Sequence, residues 1–249
     1  MSDSGKFYDA NRELKRAAYF KTYSANDGTT RLMIDVIAEK IAEYGTGAVS
    51  VLDLGTGNGF LLHEVAKKHH GGAADGSLYI GIDSSADMIE LAKQQDESTA
   101  LQFKVMDNAA TSFTDDQFDF VIAKAVSNID EREVARILKP GGWFIYKEYG
   151  LGKGIVELLA PDYISANLSH PGSEMLAVLQ NLAFEYVEMR QFSVAIQRTK
   201  SDVESLLNTM RILPAHLTME LALAKVATYY GNNDSMLVHS DPFIVLGRR

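Results

Sequence analysis

The stretch VLDLGTGNGF, residues Val51 to Phe60, decides the fold. An apolar run ends in an acid, Asp53, and glycine then recurs at every second position, at Gly55, Gly57 and Gly59. A glycine-rich turn between a buried strand and a helix lets backbone approach a ligand closely. It also aims the free N–H groups of the helix start at that ligand. Dinucleotide folds read G-x-G-x-x-G, with the third glycine needed for helix packing. Here the spacing is G-x-G-x-G, and Phe60 stands where that third glycine would be. A carboxylate two residues before the first glycine is a poor neighbour for a pyrophosphate and a good one for a cationic ligand.

Outward from this loop, strands and helices alternate. AVSVLDLG is a short β-branched run, and FLLHEVAKKHHGG is a helix ended by glycine. SLYIGID, LQFKVMD, FDFVIAKA and WFIYKEYG read as four more strands, with SADMIELAKQQ and DEREVARIL as intervening helices. That order predicts a mostly parallel sheet with helices on both faces. The turn Leu138-Lys-Pro-Gly-Gly142 has type II chemistry feeding the fifth strand. Upstream, Leu32, Met33, Val36, Ile37 and Ile41 recur at helical spacing and Gly45 suits the stop. Lys6 to Ala25 reads as one or two aromatic, basic helices. Beyond Gly150, APDYISANLSHPG reads as a loop or lid. Helices are expected around Ser173–Leu182, Ser201–Met210 and Thr218–Tyr229. FEYVEMRQFSVAIQ and MLVHSDPFIVLG read as two further strands, the antiparallel edge of a seven-stranded sheet. The economical reading is one domain: N-terminal helices or lid over 1–46, a core over 47–150, a small helical cap over 151–184, and terminal strands and helices over 185–249.

Composition narrows the function. The chain of 249 residues has no cysteine, which excludes disulfides, thiolate metal sites and cysteine nucleophiles. It has no apolar run of the roughly 20 residues a spanning helix needs. Its first residues are polar and lack a signal-peptide core, so a soluble cytoplasmic protein is expected. The formal net charge of −9 favours a small-molecule substrate over a nucleic acid.

Taken together, these pieces resemble the class I S-adenosylmethionine (SAM)-dependent methyltransferases, whose first motif reads D/E-x-G-x-G-x-G. VLDLGTGNGF resembles that motif. YIGIDSSADMIELA resembles the acidic end of strand 2 and its helix, and FKVMDNAA the end of strand 3. FDFVIAKA resembles strand 4, and ILKPGGWFIYKE the turn into strand 5. The resemblance covers Val49 to Gly150 and implies a Rossmann-like fold, with S-adenosylhomocysteine as the product of the cofactor. It implies that Gly55, Gly57 and Gly59, with Thr56 and Asn58 between them, pass under the methionine part of SAM. Asp53 would order the loop and the cofactor's amino group. Asp83 would accept from the ribose hydroxyls, and Ser84 would sit beside the adenine, with Met88 in the same cofactor-binding segment. Asp107 would accept from the adenine amino group, with Asn108 next to it. Lys124 and Ala125 would border the methionine end.

The residues' own chemistry agrees. A carboxylate has two acceptor oxygens and suits a vicinal diol. In a parallel sheet these acids all sit at the carboxyl ends of strands, along one crevice. Each also has a plainer reading: Asp83 and Asp107 as helix caps or Asx turns, Asp119 as a structural residue at the start of strand 4. His63 reads as a helix-face residue. His69 and His70 are adjacent on a helix and do not face each other, so they are read as favourable charge at its C-terminus.

For the acceptor side the candidates by position are Glu148 and Tyr149 at the end of strand 5, His170 in the lid, and Arg211 and His216. Tyr19, Phe20 and Tyr23 are candidates to close over an apolar acceptor. AKAVSN after strand 4 does not match the D/N-P-P-Y/F signature of methylases acting on amino groups of nucleic-acid bases and glutamine. No metal is expected. The expectation is methyl transfer to an O or N atom of a small molecule, with no nucleic-acid or membrane partner and with a homodimer allowed. The rivals are a non-catalytic SAM-binding regulatory or partner protein, a nicotinamide-dependent oxidoreductase with a degenerate loop, and an RNA or protein acceptor.

Overall fold

The computed structural model describes residues 28–45, 47–70, 76–95, 101–126, 128–150, 159, 171–182, 184–209 and 217–249. These fall into two compact units. The larger comprises Gly28–Gly150, Ser169–Phe192 and Pro242–Arg249. Its helices are α1 (Gly28–Tyr44), α2 (Phe60–His70), α3 (Ala86–Gln95), α4 (Glu131–Ile137) and α5 (Pro171–Asn181). Its strands are β1 (Ser50–Leu54), β2 (Leu78–Asp83), β3 (Leu101–Val105), β4 (Phe118–Lys124), β5 (Leu138–Tyr149), β6 (Tyr186–Gln191) and β9 (Pro242–Arg248).

They form a 7-stranded sheet in the order β3-β2-β1-β4-β5-β9-β6. The first five are parallel neighbours, and β9 runs antiparallel between β5 and β6. The parallel strands β1, β2, β4 and β5 are near-continuous apolar runs because both faces are covered, while the edge strand β3 is largely exposed. One face packs Val51, Phe120, Ile122 and Ile145 against Met33 and Ile37 of α1, Leu62 of α2 and Ile89 of α3. The other packs Leu52, Ile82, Val121 and Phe144 against Val134 and Ile137 of α4 and Leu179 of α5. This is the doubly covered, Rossmann-like sheet expected from the alternation, with the expected seven strands. Gly141 has φ +81, as the third position of a type II turn requires.

The amino-terminal end of the sheet is clamped by Asp119. Its carboxylate accepts from Ser50 N (2.8 Å) and Ser50 Oγ (2.6 Å), from the Tyr44 hydroxyl (2.7 Å) and from Lys139 Nζ (2.8 Å). Burial pushes this acid up, but the Lys139 ammonium and the surrounding donors outweigh it and hold the carboxyl below its usual range. Asp119 is thus a structural clamp at the start of β4.

The smaller unit comprises Met1–Asp27, Leu151–Leu168 and Ser193–Asp241. It contains β7 (Val194–Thr199), α6 (Lys200–Thr209), α7 (Met219–Tyr230) and β8 (Ser235–Ser240), with β7 and β8 paired antiparallel. Val203, Leu207, Ala222, Val226 and Tyr230 form its core, joined by Leu159.

One expectation is corrected here. The two end segments read as single strands are four: β6 and β7, β8 and β9. Pro242 has no N–H and can only open a strand, so the second segment breaks before it. Phe192 N donates to Pro242 O at 2.9 Å and closes the β6–β9 pair, so the first breaks after Phe192. The N-terminal helices and most of the loop or lid read after Gly150 lie outside the described residues. Among the described residues no helix is long and apolar enough to cross a membrane.

Candidate functional site

The glycine loop leaves β1 and enters α2, and all three glycines have positive φ: Gly55 +64, Gly57 +56 and Gly59 +78. A β-carbon at Gly55 would stand 2.6 Å from Val126 Cγ2, and one at Gly59 would stand 2.8 Å from the Phe103 ring. One at Gly57 would meet nothing within 4 Å among the described residues, so there the middle of the loop leaves space.

Side chains from three strand ends hold this shape. Asp83, at the end of β2, accepts from Gly57 N at 3.0 Å through Oδ2 and from Ser85 N at 2.9 Å through Oδ1. Asn108, beyond β3, accepts from Gly55 N at 3.1 Å. Asp53, buried at the end of β1, accepts from the Thr56 hydroxyl at 2.7 Å. Burial pushes the Asp53 carboxyl up to about 7. The Thr56 hydrogen bond and the Lys124 charge oppose that rise, and the nearby Asp83 charge adds to it. Asn58 is buried. Its Oδ1 accepts from Phe60 N at 3.3 Å, while its Nδ2 has no hydrogen-bond partner among the described residues. Among the described residues that amide is a buried donor left over for a further acceptor.

The remaining expected residues lie around this loop. Asp107 is exposed and accepts from Ala109 N in an Asx turn at 2.9 Å. Ser84 is exposed beside Asp83. Met88 is buried in α3, and its N–H donates to Ser85 Oγ at 3.3 Å. Lys124 ends β4, and Ala125 follows in the left-handed region at φ +52, its N–H bonded to Lys147 O at 2.9 Å. A strained non-glycine residue of this kind is held in place by its surroundings.

At the end of β5, burial raises the Glu148 carboxyl above its usual range. Its Oε1 accepts from Tyr149 N at 2.9 Å, and Tyr146 OH lies 3.4 Å from Oε2. Tyr149 presents its ring to Lys147, whose Nζ is 3.7 Å from the ring centroid. His170, Arg211, His216, Tyr19, Phe20 and Tyr23 lie outside the described residues. His69 Nδ1 is 2.7 Å from the Tyr79 hydroxyl, so it ties α2 to β2. Among the described residues no group of three or more His, Asp or Glu is placed to hold a metal ion.

Two contributors escape motif reading. Gly81, inside β2, has no room for a β-carbon, which would stand 2.7 Å from Thr56 Oγ1 and 2.8 Å from Phe103. Lys147 is fully buried at the end of β5; its signal in the sequence is a lysine within the apolar run WFIYKEYG.

A bare loop after β1, braced by acids at strand ends, is what a methyltransferase fold would place there, and the family model of the methyltransferase domain matches residues 46–207. The chain belongs to this family. The methyltransferase domain is 28% identical over 131 residues to the fatty-acid O-methyltransferase of Mycolicibacterium smegmatis, covering 50% of this chain and 46% of that protein. It is 31% identical over 125 residues to the ribosomal protein L11 methyltransferase of Dictyoglomus thermophilum, covering 49% of this chain and 38% of that one. The chain thus spans less than half the length of the curated relatives it matches. Among solved structures, phosphoethanolamine N-methyltransferase 2 of Haemonchus contortus in complex with SAM superposes with a TM-score of 0.59 at 18% identity. That match covers 99% of this chain and 60% of the other, and establishes a shared fold.

Proposed function

We propose that this methyltransferase domain binds SAM along the crevice at the ends of β1, β2 and β3 and methylates an oxygen or nitrogen of a small molecule. The observation that carries the reading is the Asp83 carboxylate. Each of its oxygens accepts one backbone N–H from the loop region and retains a further lone pair, so it can take both O–H donors of a ribose diol while still bracing the loop. The residues present fit the rest of the cofactor. Gly57 leaves the space. Asn58 Nδ2 supplies a buried donor suited to the cofactor's carboxylate. Asp53, once ionised, suits its ammonium, and Asp107 suits the adenine amino group.

When bound, SAM supplies a methyl group on a positive sulfur, and the electron pair of the broken bond stays on that sulfur. The protein's task is to align the acceptor at roughly 3–3.5 Å, exclude water and remove any acceptor proton. Glu148, with its raised carboxyl at the end of β5, is the proposed base, and Tyr149 a proposed wall of the acceptor site. The likeness to a fatty-acid O-methyltransferase supports a small-molecule acceptor. The likeness to a ribosomal protein L11 methyltransferase supports a protein acceptor. We favour the former, in keeping with the acidic formal net charge of −9.

Calorimetric titration tests the cofactor. S-adenosylhomocysteine is expected to bind with one site per chain while NAD gives no heat of binding. NAD binding in preference to S-adenosylhomocysteine would reinstate the oxidoreductase reading.

A further inference from the structure

The connection from β3 to β4 carries Asp107, the acid suited to the adenine amino group, and Asn108, which holds the glycine loop. Both lie beyond the end of β3 at Val105, so no strand ladder places them. At the start of the connection Met106 N donates to Asp83 O at 3.0 Å. Asn108 Oδ1 accepts from Gly55 N at 3.1 Å, and Asp107 Oδ1 from Ala109 N at 2.9 Å. Three residues after Asn108 the chain meets α4. Thr111 N donates to Glu133 Oε1 at 3.0 Å, and the Thr111 hydroxyl donates to the same oxygen. Arg136 fixes Glu133 in turn: its Nε donates to Oε2 at 2.8 Å and its Nη2 to Oε1 at 2.7 Å. Arg136 Nη1 reaches Asp115 Oδ1, on the same connection, at 2.6 Å.

An ion pair three residues apart on a helix surface contributes little by itself. This one is attached to the connection. The Glu133 side chain is only 13% exposed, and its Oε1 takes three donors, two from Thr111 and one from Arg136. Asp130 caps α4 by accepting from Arg132 N at 2.9 Å, so the helix carrying the acid is itself anchored. The Arg136 guanidinium outweighs burial and holds the Glu133 carboxyl down at about 2. At neutral pH Thr111 therefore donates to a charged group, and such hydrogen bonds are the strong ones. The span 107–110 is thus held on one side by Asp83 and Gly55 and on the other by Glu133. A recognition side chain needs its supports to hold it within about 0.5 Å of its productive position.

We propose that Glu133 is a positioning residue for base recognition: by clamping Thr111 it holds Asp107 where that acid reads the exocyclic amino group of the cofactor's adenine. The inference rests on the proposed binding of SAM.

Calorimetric titration of the full chain with two ligands tests it. One is S-adenosylhomocysteine. The other is S-inosylhomocysteine, which carries a carbonyl oxygen in place of the amino group and cannot donate to Asp107. The native chain is expected to prefer the adenine ligand by about 10-fold or more. Glu133→Ala is expected to lower that ratio several-fold. Glu133→Gln keeps an oxygen for Thr111 while losing the charge that pairs with Arg136, and is expected to retain most of the ratio. Thr111→Val keeps the N–H bond and loses the hydroxyl, and is expected to lower the ratio in the same direction as Glu133→Ala. A loss of stability alone weakens both ligands equally and leaves the ratio unmoved. Equal binding of the two ligands by the native chain, the native ratio in a folded Glu133→Ala, or a Glu133→Gln as indiscriminate as Glu133→Ala overturns the proposal and leaves the binding of SAM standing. Where Glu133→Ala does not fold, an unchanged ratio in Thr111→Val overturns it. A native chain that binds neither ligand sinks the cofactor reading and this inference with it.

Discussion

The Asp83 carboxylate accepts a hydrogen bond from the Gly57 N–H at 3.0 Å, so the acid ending β2 braces the loop that follows β1. Gly57 is also the loop position where a β-carbon would meet nothing within 4 Å among the described residues. The residue best suited to receive a ribose therefore also sets the floor on which the rest of the cofactor would lie. Shape and recognition at this crevice are coupled through one side chain.

Asp53 should link protons to stability and to binding. Its folded pKa is raised from 3.8 to about 7, so between those values the folded chain holds a proton that the unfolded chain has released. Stability therefore falls as pH rises through that window, by up to about 4 kcal/mol at 1.36 kcal/mol per unit. Asp53→Asn is expected to remove that slope in denaturant unfolding at pH 5 and pH 8. A cofactor ammonium beside Asp53 favours its ionised form. Binding of S-adenosylhomocysteine near pH 6 is then expected to release a proton, seen as a buffer-dependent heat that Asp53→Asn abolishes.

Gly81→Ala is expected to damage the loop from inside the sheet. The added β-carbon would stand 2.7 Å from Thr56 Oγ1 and 2.8 Å from Phe103, and β2 is hydrogen-bonded on both sides and cannot retreat. Overpacking of this kind costs about 1–3 kcal/mol. Thermal melts should show that loss together with weaker binding of S-adenosylhomocysteine, because Thr56 belongs to the loop.

Asp119→Ala is expected to separate stability from binding. It strips partners from Ser50 N, the Tyr44 hydroxyl and Lys139 at the opposite end of the sheet. Leaving such groups unpaired costs about 2–4 kcal/mol in denaturant unfolding. Because the Asp119 carboxyl is held low in the folded chain, its contribution is present at neutral pH and lost as pH falls through that depressed value. Affinity for S-adenosylhomocysteine should not change, since the partners of Asp119, namely Ser50, Tyr44 and Lys139, all lie at the amino-terminal end of the sheet.

The sheet is legible in the sequence because its inner parallel strands are buried on both faces and read as short apolar runs. The loop is legible because alternate glycines exceed the needs of a simple turn. What is not legible depends on contacts across space. Asn108 reaches Gly55 over 53 residues. Gly81 is required by a threonine and a phenylalanine from two other segments. Lys147 is visible only as a charged residue in an apolar strand, and its pairing with Lys124 comes from the register of β4 on β5. The split of the second terminal segment turns on Pro242, which has no N–H, and that of the first on Phe192, whose N–H closes the β6–β9 pair on Pro242 O; periodicity alone reveals neither.

The most direct test of the cofactor claim is the melting temperature of the native chain and of Asp83→Ala, each with S-adenosylhomocysteine, SAM and NAD. A ligand bound only by the folded state stabilises it by about 2.7 kcal/mol at a hundredfold excess over its Kd. Stabilisation of the native chain by S-adenosylhomocysteine and SAM, absent with NAD and lost in a folded Asp83→Ala, is the expected result. A native chain that is folded, free of carried-over ligand and unmoved by either SAM-type ligand would contradict the account and reduce the glycine loop to a turn.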